Sequence, residues 1–329
     1  MLSTHPSDVL PGGTLSVDLD DVWTYLKVRG DPGWRDRPTH FPLVVPALLD
    51  TLTAARATAT VFVVGADAAL PERAAWLRGI AAAGHEIGNH SHEHCSWQRA
   101  MPPEELAEDL RASHDAITRA CGTPPRGYRA PGFSWNRTLL EGLVRLGYRY
   151  DASVFPTWFG PLARSAYRAR SGAAAQQQLD GLFGDTADGR LPLSPFQWSV
   201  ASGAMLLELP VTTVPYVRTP LHHTYIAYLA SFSESLAMVY LAGAMRLCRQ
   251  SGTSINYLLH PTDLIGADAV PSLRFFPGME MPTTRKQRVL KRVLAVLSRE
   301  GVLQSLGATA DRLEGVRLAT RTPVGPRDR

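Results

Sequence analysis

The feature that most constrains this chain is an alternation. Short apolar or β-branched segments recur, and each is followed by a longer segment with helical spacing. The strand signal falls at residues 14–18, 58–65, 85–90, 126–129, 148–153, 206–210 and 254–260. Helical spacing falls at 41–52, 72–83, 103–121, 136–146, 225–248 and 284–299, with Gly84 and Gly147 placed to stop two of these helices. Strands alternating with helices predict a parallel sheet, either closed into a barrel or open and doubly wound. The polar residues choose between the two. Asp18, Asp20, Asp21, His90, His94, Arg129, Asp151 and His260 all stand at strand ends, and only a barrel gathers strand ends from across a chain onto one face. The expectation is an α/β fold, a distorted (β/α) barrel of about seven parallel strands, as one domain over residues 1–329. Residues 159–204 are rich in Ala, Gly, Gln and Ser without a clear period, and are read as an irregular insertion. Residues 284–300 are read as a basic amphipathic helix.

The sharpest local motif is His90-Ser-His-Glu-His94. Two histidines four apart, just after a strand, can face one metal. Two imidazoles with one carboxylate suit zinc and leave a coordination position for water. Val17-Asp-Leu-Asp-Asp21 supplies carboxylates that would repel one another without a cation. Its structural alternative is an N-cap cluster opening the next helix, but no capped helix pattern starts cleanly here. Arg129-Ala-Pro-Gly-Phe133 puts an arginine before a turn, and His260 closes an apolar strand. Each alone is most simply structural.

In this order the five features resemble the polysaccharide deacetylase family, the NodB-homology or carbohydrate esterase family 4 group. Its acidic first motif is similar to Asp18-Leu-Asp20-Asp21, and its His-Ser/Thr-x-x-His to residues 90–94. Its Arg-x-Pro is similar to Arg129-Ala-Pro131, its Asp-x-Ser to Asp151-Ala-Ser153, and its Leu-x-His strand end to Leu258-Leu-His260. The resemblance covers roughly residues 14–265. The family's usual Asp-Asp-Gly is absent, so the first motif looks more like the Asp-x-Asp branch. That branch contains peptidoglycan deacetylases and cyclic-imide or allantoin-type hydrolases.

The resemblance implies a divalent metal, zinc by preference, on Asp20, His90 and His94. It implies Asp18 as general base, Arg129 as its partner, His260 as general acid, and Asp151 tuning the charge of His260. A backbone N–H near Gly132 or Phe133 would hold the oxyanion, and Trp158 would fill the place of a tryptophan near the fourth motif. A second division of the acidic cluster, with Asp20 as base and Asp21 as ligand, stays open. His222, His223, Tyr216 and Tyr225 either shape the pocket or pack as ordinary loop and helix residues. The implied function is removal of an N-acetyl or other N-acyl group from an amino sugar. Hydrolysis of a cyclic amide, an imide or a formamide is the alternative within the fold. A catalytically inactive glycan-binding barrel is the alternative outside enzymology.

Composition narrows the partners. The net charge is only +4, from 34 Lys and Arg against 30 Asp and Glu. No basic run is interleaved with stacking aromatics, so the charge does not argue for nucleic-acid binding, and none is expected. Three cysteines, widely spaced, indicate neither a disulfide framework nor a cysteine zinc site. No signal peptide is read at the N-terminus, and the most apolar stretch, residues 236–245, is too short to span a bilayer. The expected location is the cytoplasm. The expected substrate is an N-acetylated sugar that is soluble, lipid-linked or part of a secondary metabolite, and a homo-oligomer is compatible with the chain. The basic helix near the C-terminus could lie on anionic lipid, but packing of its apolar stripe on the barrel is the favoured reading.

Overall fold

A computed structural model describes residues 12–160, 187–200 and 203–323. Seven parallel strands form its centre: β1 Gly13–Leu19, β2 Thr60–Val63, β3 Glu86–Asn89, β4 Gly127–Tyr128, β5 Tyr150–Asp151, β7 Met205–Glu208 and β8 Ile255–Leu259. They lie side by side in the order β7-β5-β4-β3-β2-β1-β8. Every residue of β1 and β2 is buried, as a strand covered on both faces requires. Three short strands extend the sheet: β9, Leu303–Gln304, pairs with β1, β6, Phe196–Ser199, pairs with β7, and β10, Thr320–Arg321, pairs with β6.

The barrel does not close as a continuous sheet. β7 ends at Glu208, and Pro210 follows, which has no N–H to continue a ladder. Bonds from the Asn256 side chain and the Thr212 main chain bridge the gap to β8 instead. The Asn256 amide donates to the carbonyls of Leu209 and Pro210 at 3.0 and 3.1 Å, and the Thr212 N–H donates to the Asn256 carbonyl at 3.1 Å. The interior is filled by alternate residues of the strands. Phe62, Tyr150 and Leu207 share one apolar cluster there. Their rings fit because the facing positions are glycine. A Cβ at Gly88 would lie 2.5 Å from the Phe62 ring, and one at Gly127 would lie 2.0 Å from the Tyr150 ring.

Helices surround the strands: α1 Val22–Arg29, α2 Phe41–Ala55, α3 Pro71–Ala82, α4 Pro103–Cys121, α5 Arg137–Arg145, α6 His223–Phe232, α7 Glu234–Ser251, α8 Thr283–Leu297 and α9 Leu306–Arg312. Three expectations are corrected. The single helix expected at 225–248 is two, because Ser233 adopts an extended conformation and its Oγ accepts the N–H of Leu236, capping α7. Part of the expected insertion is strand. Phe196-Gln-Trp-Ser alternates buried and half-buried residues and pairs antiparallel with β7; residues 161–186 and 201–202 lie outside the described residues. Asp21 does cap a helix, α1, by accepting the Val22 N–H at 2.8 Å.

The amphipathic character of α8 is as expected, with Val289, Leu290, Val293, Leu294 and Leu297 buried. Arg285, Arg288 and Arg292 all converge on Glu234. Lys286 is turned inward, donating to the Thr262 carbonyl beside His260. Among the described residues no helix is long and apolar enough to cross a membrane.

Candidate active site and metal centre

Asp18 and Asp20 straddle the end of β1, His90 follows β3, Arg129 follows β4, and His260 follows β8. Parallel strands point all these ends the same way. They meet at a cavity of about 160 Å³ whose polar walls include Asp18, Asp20, His90, His94, His222 and His260. Its apolar walls are Phe133, Phe155, Leu258 and Phe276, with Tyr25 from α1.

The carboxylate and both imidazoles of the expected metal set are together. Asp20 Oδ1 lies 3.4 Å from His90 Nε2 and 3.0 Å from His94 Nε2, and the three ligand atoms lie within 4.8 Å of one another. His90 Nδ1 is 2.8 Å from the Arg129 carbonyl, which can only accept. That bond places the proton on Nδ1, so neutral His90 presents the Nε2 lone pair to Asp20. Electron-rich atoms facing each other this closely in a buried place call for a cation. Burial opposes protonation of His90, but the charges of Asp18 and Asp20 outweigh it and hold its pKa above the ordinary histidine value. Two imidazoles and one carboxylate suit a divalent metal, zinc among them, with a position left for substrate or water.

The loop carrying the histidines is shaped from α4. The Asp109 carboxylate accepts the N–H groups of His92 and Glu93 at 3.2 and 3.1 Å and lies within hydrogen-bond distance of the Ser91 hydroxyl. Ser91 and His94 take φ values of 69° and 51°, a left-handed conformation that a non-glycine residue holds only when its surroundings fix it. Glu93 turns away, pairing with Lys27 and Arg37. Nothing in the sequence singles out Asp109, one acid among several on an amphipathic helix.

Asp18 and Arg129 form a buried pair. Arg129 Nη1 donates to Asp18 Oδ1 at 2.8 Å and to the Ser16 hydroxyl at 2.9 Å, and its Nε donates to the Ala152 carbonyl at 3.0 Å. Asp18 Oδ2 remains directed at the cavity, 4.0 Å from His90 Nε2 and 3.9 Å from His260 Nε2. Asp21 is not available to a metal. Its Oδ1 accepts the N–H groups of Val22 and His40, and its Oδ2 faces Arg73 at 3.5 Å. The geometry therefore corresponds to the first division of the acidic cluster.

Asp151 is not beside His260. Side chains of a strand alternate between its two faces. Tyr150 and Ala152 point into the barrel, so Asp151 points out, to Ser153 at 2.6 Å and to Glu208, its register partner on β7. Burial pushes the Asp151 carboxyl up to about 6, and burial with the neighbouring Asp151 charge pushes Glu208 well above the carboxylate range. Folded-state values above the unfolded ones mean that the folded protein holds protons the unfolded chain has released. This pair therefore lowers stability as pH rises above about 4 toward the folded values, and most at alkaline pH. Asp151→Asn removes one of the two carboxyls and offers Glu208 an N–H. The expected result is a variant with Tm equal to wild type at pH 4 and higher by a few degrees at pH 8 (roughly 1–2 kcal/mol). Thermal melts across pH check it, and a variant less stable at both pH values contradicts it.

The place expected for Asp151 is taken by Asp263, three residues after His260. Asp263 Oδ2 accepts the His260 main-chain N–H at 2.8 Å and lies 4.0 Å from the ring Nδ1. Trp158 lies outside the cavity, half-exposed and packed on Gly189. The Phe133 N–H donates to the Ala130 carbonyl at 3.0 Å, so it is not free for an oxyanion; Gly132 remains at the cavity wall. His223 is buried against the Tyr257 hydroxyl, whereas His222 lines the cavity. Tyr216 is exposed and Tyr225 packs on Tyr240. Both fall outside the residues lining the site.

Residues 31–150 match the sequence model of the family described as polysaccharide deacetylase. That segment is similar in sequence to the polysaccharide deacetylase family. A chitooligosaccharide deacetylase of Bradyrhizobium sp. (strain ANU 289) is 39% identical over 108 residues, 32% of this chain and 48% of that protein. A peptidoglycan deacetylase of Helicobacter pylori (strain ATCC 700392 / 26695) is 28% identical over 152 residues, 44% of this chain and 50% of that protein. The chain thus spans about half the length of the curated relatives it matches. A crystal structure from Mycobacterium smegmatis, of a protein named as a polysaccharide deacetylase, superposes with a TM-score of 0.59 at 21% identity, covering 96% of this chain and 95% of that one. At that identity the likeness concerns the fold. Residues 31–150 hold the histidine motif and Arg129, whereas the acidic motif and His260 lie outside the matched segment and are joined to it only by the fold.

Proposed function

We propose that this chain is a metal-dependent amide hydrolase that removes an N-acyl group, acetyl foremost, from an amino sugar. One observation carries the reading: a buried carboxylate held by an arginine, a metal-type triad and a histidine, supplied by four separate strand ends, open on one cavity. A divalent metal held by Asp20, His90 and His94 would supply a Lewis acid for the acyl oxygen and acidify water. The chain's own groups do the rest. Asp18 Oδ2 takes the proton from the attacking water, while Arg129 holds the other carboxylate oxygen and aims the group. His260 gives a proton to the nitrogen as the C–N bond breaks, so that it leaves as an amine. Phe133, Phe155 and Leu258 offer an apolar wall for the acyl methyl group.

His260→Ala tests the reading, because an amine leaves poorly unless protonated and a phenolate needs little help. The variant is expected to lose amide cleavage by roughly 10²-fold or more, while keeping its metal and much of any activity on an activated acetyl ester. Equal losses on both substrates would remove the general-acid assignment.

A further inference from the structure

We propose that Lys27 is a positioning residue for His94: its ammonium clamps the Glu93 carbonyl and so fixes the backbone from which the imidazole reaches the metal. The proposal deepens the reading above, since it rests on His94 being a ligand.

The two histidines are held in different ways. His90 is oriented at its ring, by the bond from Nδ1 to the Arg129 carbonyl. His94 has no such bond, for its Nδ1 is buried without a partner among the described residues. A histidine that binds metal is ordinarily aimed by a bond at its other nitrogen. The aim of His94 therefore depends on its main chain, which takes a left-handed φ of 51° that a non-glycine residue does not keep unaided.

The Glu93 carbonyl belongs to the peptide unit that enters His94, and rotation of that unit about the His94 N–Cα bond is φ. Lys27 Nζ donates to this carbonyl at 2.6 Å and to Glu93 Oε2 at 3.1 Å. The N–H groups of His92 and Glu93 are already held from α4 by Asp109. Lys27 grips the peptide unit that follows, from α1. Arg37 also takes the Glu93 carboxylate, at 3.1 Å, so that side chain keeps a cation when Lys27 is removed. The carbonyl is then left, among the described residues, with the Cys95 thiol at 4.0 Å.

The lysine is built into the fold. It is 7% exposed, and its Nζ lies 5.5 Å from the Trp23 ring centroid and 5.1 Å from that of Trp34, where a ring face attracts a cation. Trp23 stands one turn earlier on the same helix, and its Nε1 donates to Asp67 Oδ1 at 2.9 Å, which fixes the ring. The helix N-cap is Asp21, the residue after Asp20. One helix thus carries the carboxylate ligand just before its start and, in its second turn, the clamp on the histidine loop. The 3.0 Å approach of Asp20 Oδ1 to His94 Nε2 is set through that helix.

Zinc affinity, measured by competition with a chromophoric chelator, tests the clamp. Lys27→Met should weaken zinc binding by roughly 10–100-fold, the loss typical when a group that orients a ligand is removed. Glu93→Gln, which keeps the carbonyl, should stay close to wild type. With cobalt in place of zinc, the visible bands should change in Lys27→Met and not in Glu93→Gln. Trp34→Ala, at a half-buried loop position, removes one wall of the lysine's seat and should weaken zinc in the same direction; it stands in for Lys27→Met should that variant not fold. Unchanged affinity in the variant used, or an equal loss in Glu93→Gln, would overturn the clamp. If wild type binds no zinc, the functional reading falls, and hydrogen exchange of the metal-free protein decides. Faster exchange of the His92 and Glu93 amides in the variant than in wild type, with the amides of β1 unchanged, supports the clamp, and equal exchange overturns it.

Discussion

Replacing His90 or His94 by alanine is expected to strip the metal and, with it, the reaction. Each imidazole is one of the three groups that, among the described residues, could hold the proposed metal, and a site with a single imidazole and a carboxylate no longer resembles a stable zinc site. The turnover of each variant should fall by more than about 10³-fold, since a bound Lewis acid is worth several kcal/mol of transition-state stabilisation. The two variants should differ in stability. His90 is 2% exposed and donates to the Arg129 carbonyl, so its loss also leaves a buried acceptor unpaired, a cost of about 1–3 kcal/mol. His94 carries no such bond from Nδ1, and His94→Ala should be the milder change. Elemental analysis alongside thermal melts checks both, and full metal content in either variant would remove that residue from the ligand set.

The second large effect is expected at Arg129. This side chain is fully buried, spans β1 to β5 through Ser16, Asp18 and the Ala152 carbonyl, and lies over the Phe62 ring at 4.4 Å. Arg129→Met fits a similar volume but leaves the Asp18 charge buried without its partner. Breaking a buried pair from one side costs about 3–5 kcal/mol. Removing both charges is far cheaper, so Asp18→Asn/Arg129→Met should recover most of the lost stability while remaining inactive for want of a base. Denaturant midpoints for both single variants and the double variant give the coupling. Additive losses would mean that the pair contributes nothing beyond its separate contacts.

What could be read from the sequence follows from which physics is local. Parallel strands covered on both faces leave unbroken apolar runs, so β1, β2 and β8 were legible, as was the polar residue ending each. The histidine pair was legible because both ligands lie within five residues of one loop. Asp21 was not, since adjacent acids look alike until the turn into α1 sends one to the cavity and the other to the helix cap. Asp151 was misplaced for a reason of topology. It lies on the outward face of β5, and β7 stands between β5 and the seam with β8. Glu208 is in register to meet it, and His260 is not. Asp263 left no signal, because a capping aspartate is an ordinary helix-start residue.

The most direct test of the central claim is acetate release from an N-acetylated chitooligosaccharide by wild-type protein, first stripped with chelator and then titrated with zinc. The account predicts no release from the stripped protein and release rising with zinc to a plateau at one ion per chain, with His94→Ala flat throughout. Release that is undiminished after stripping, or that rises equally in His94→Ala, would contradict it.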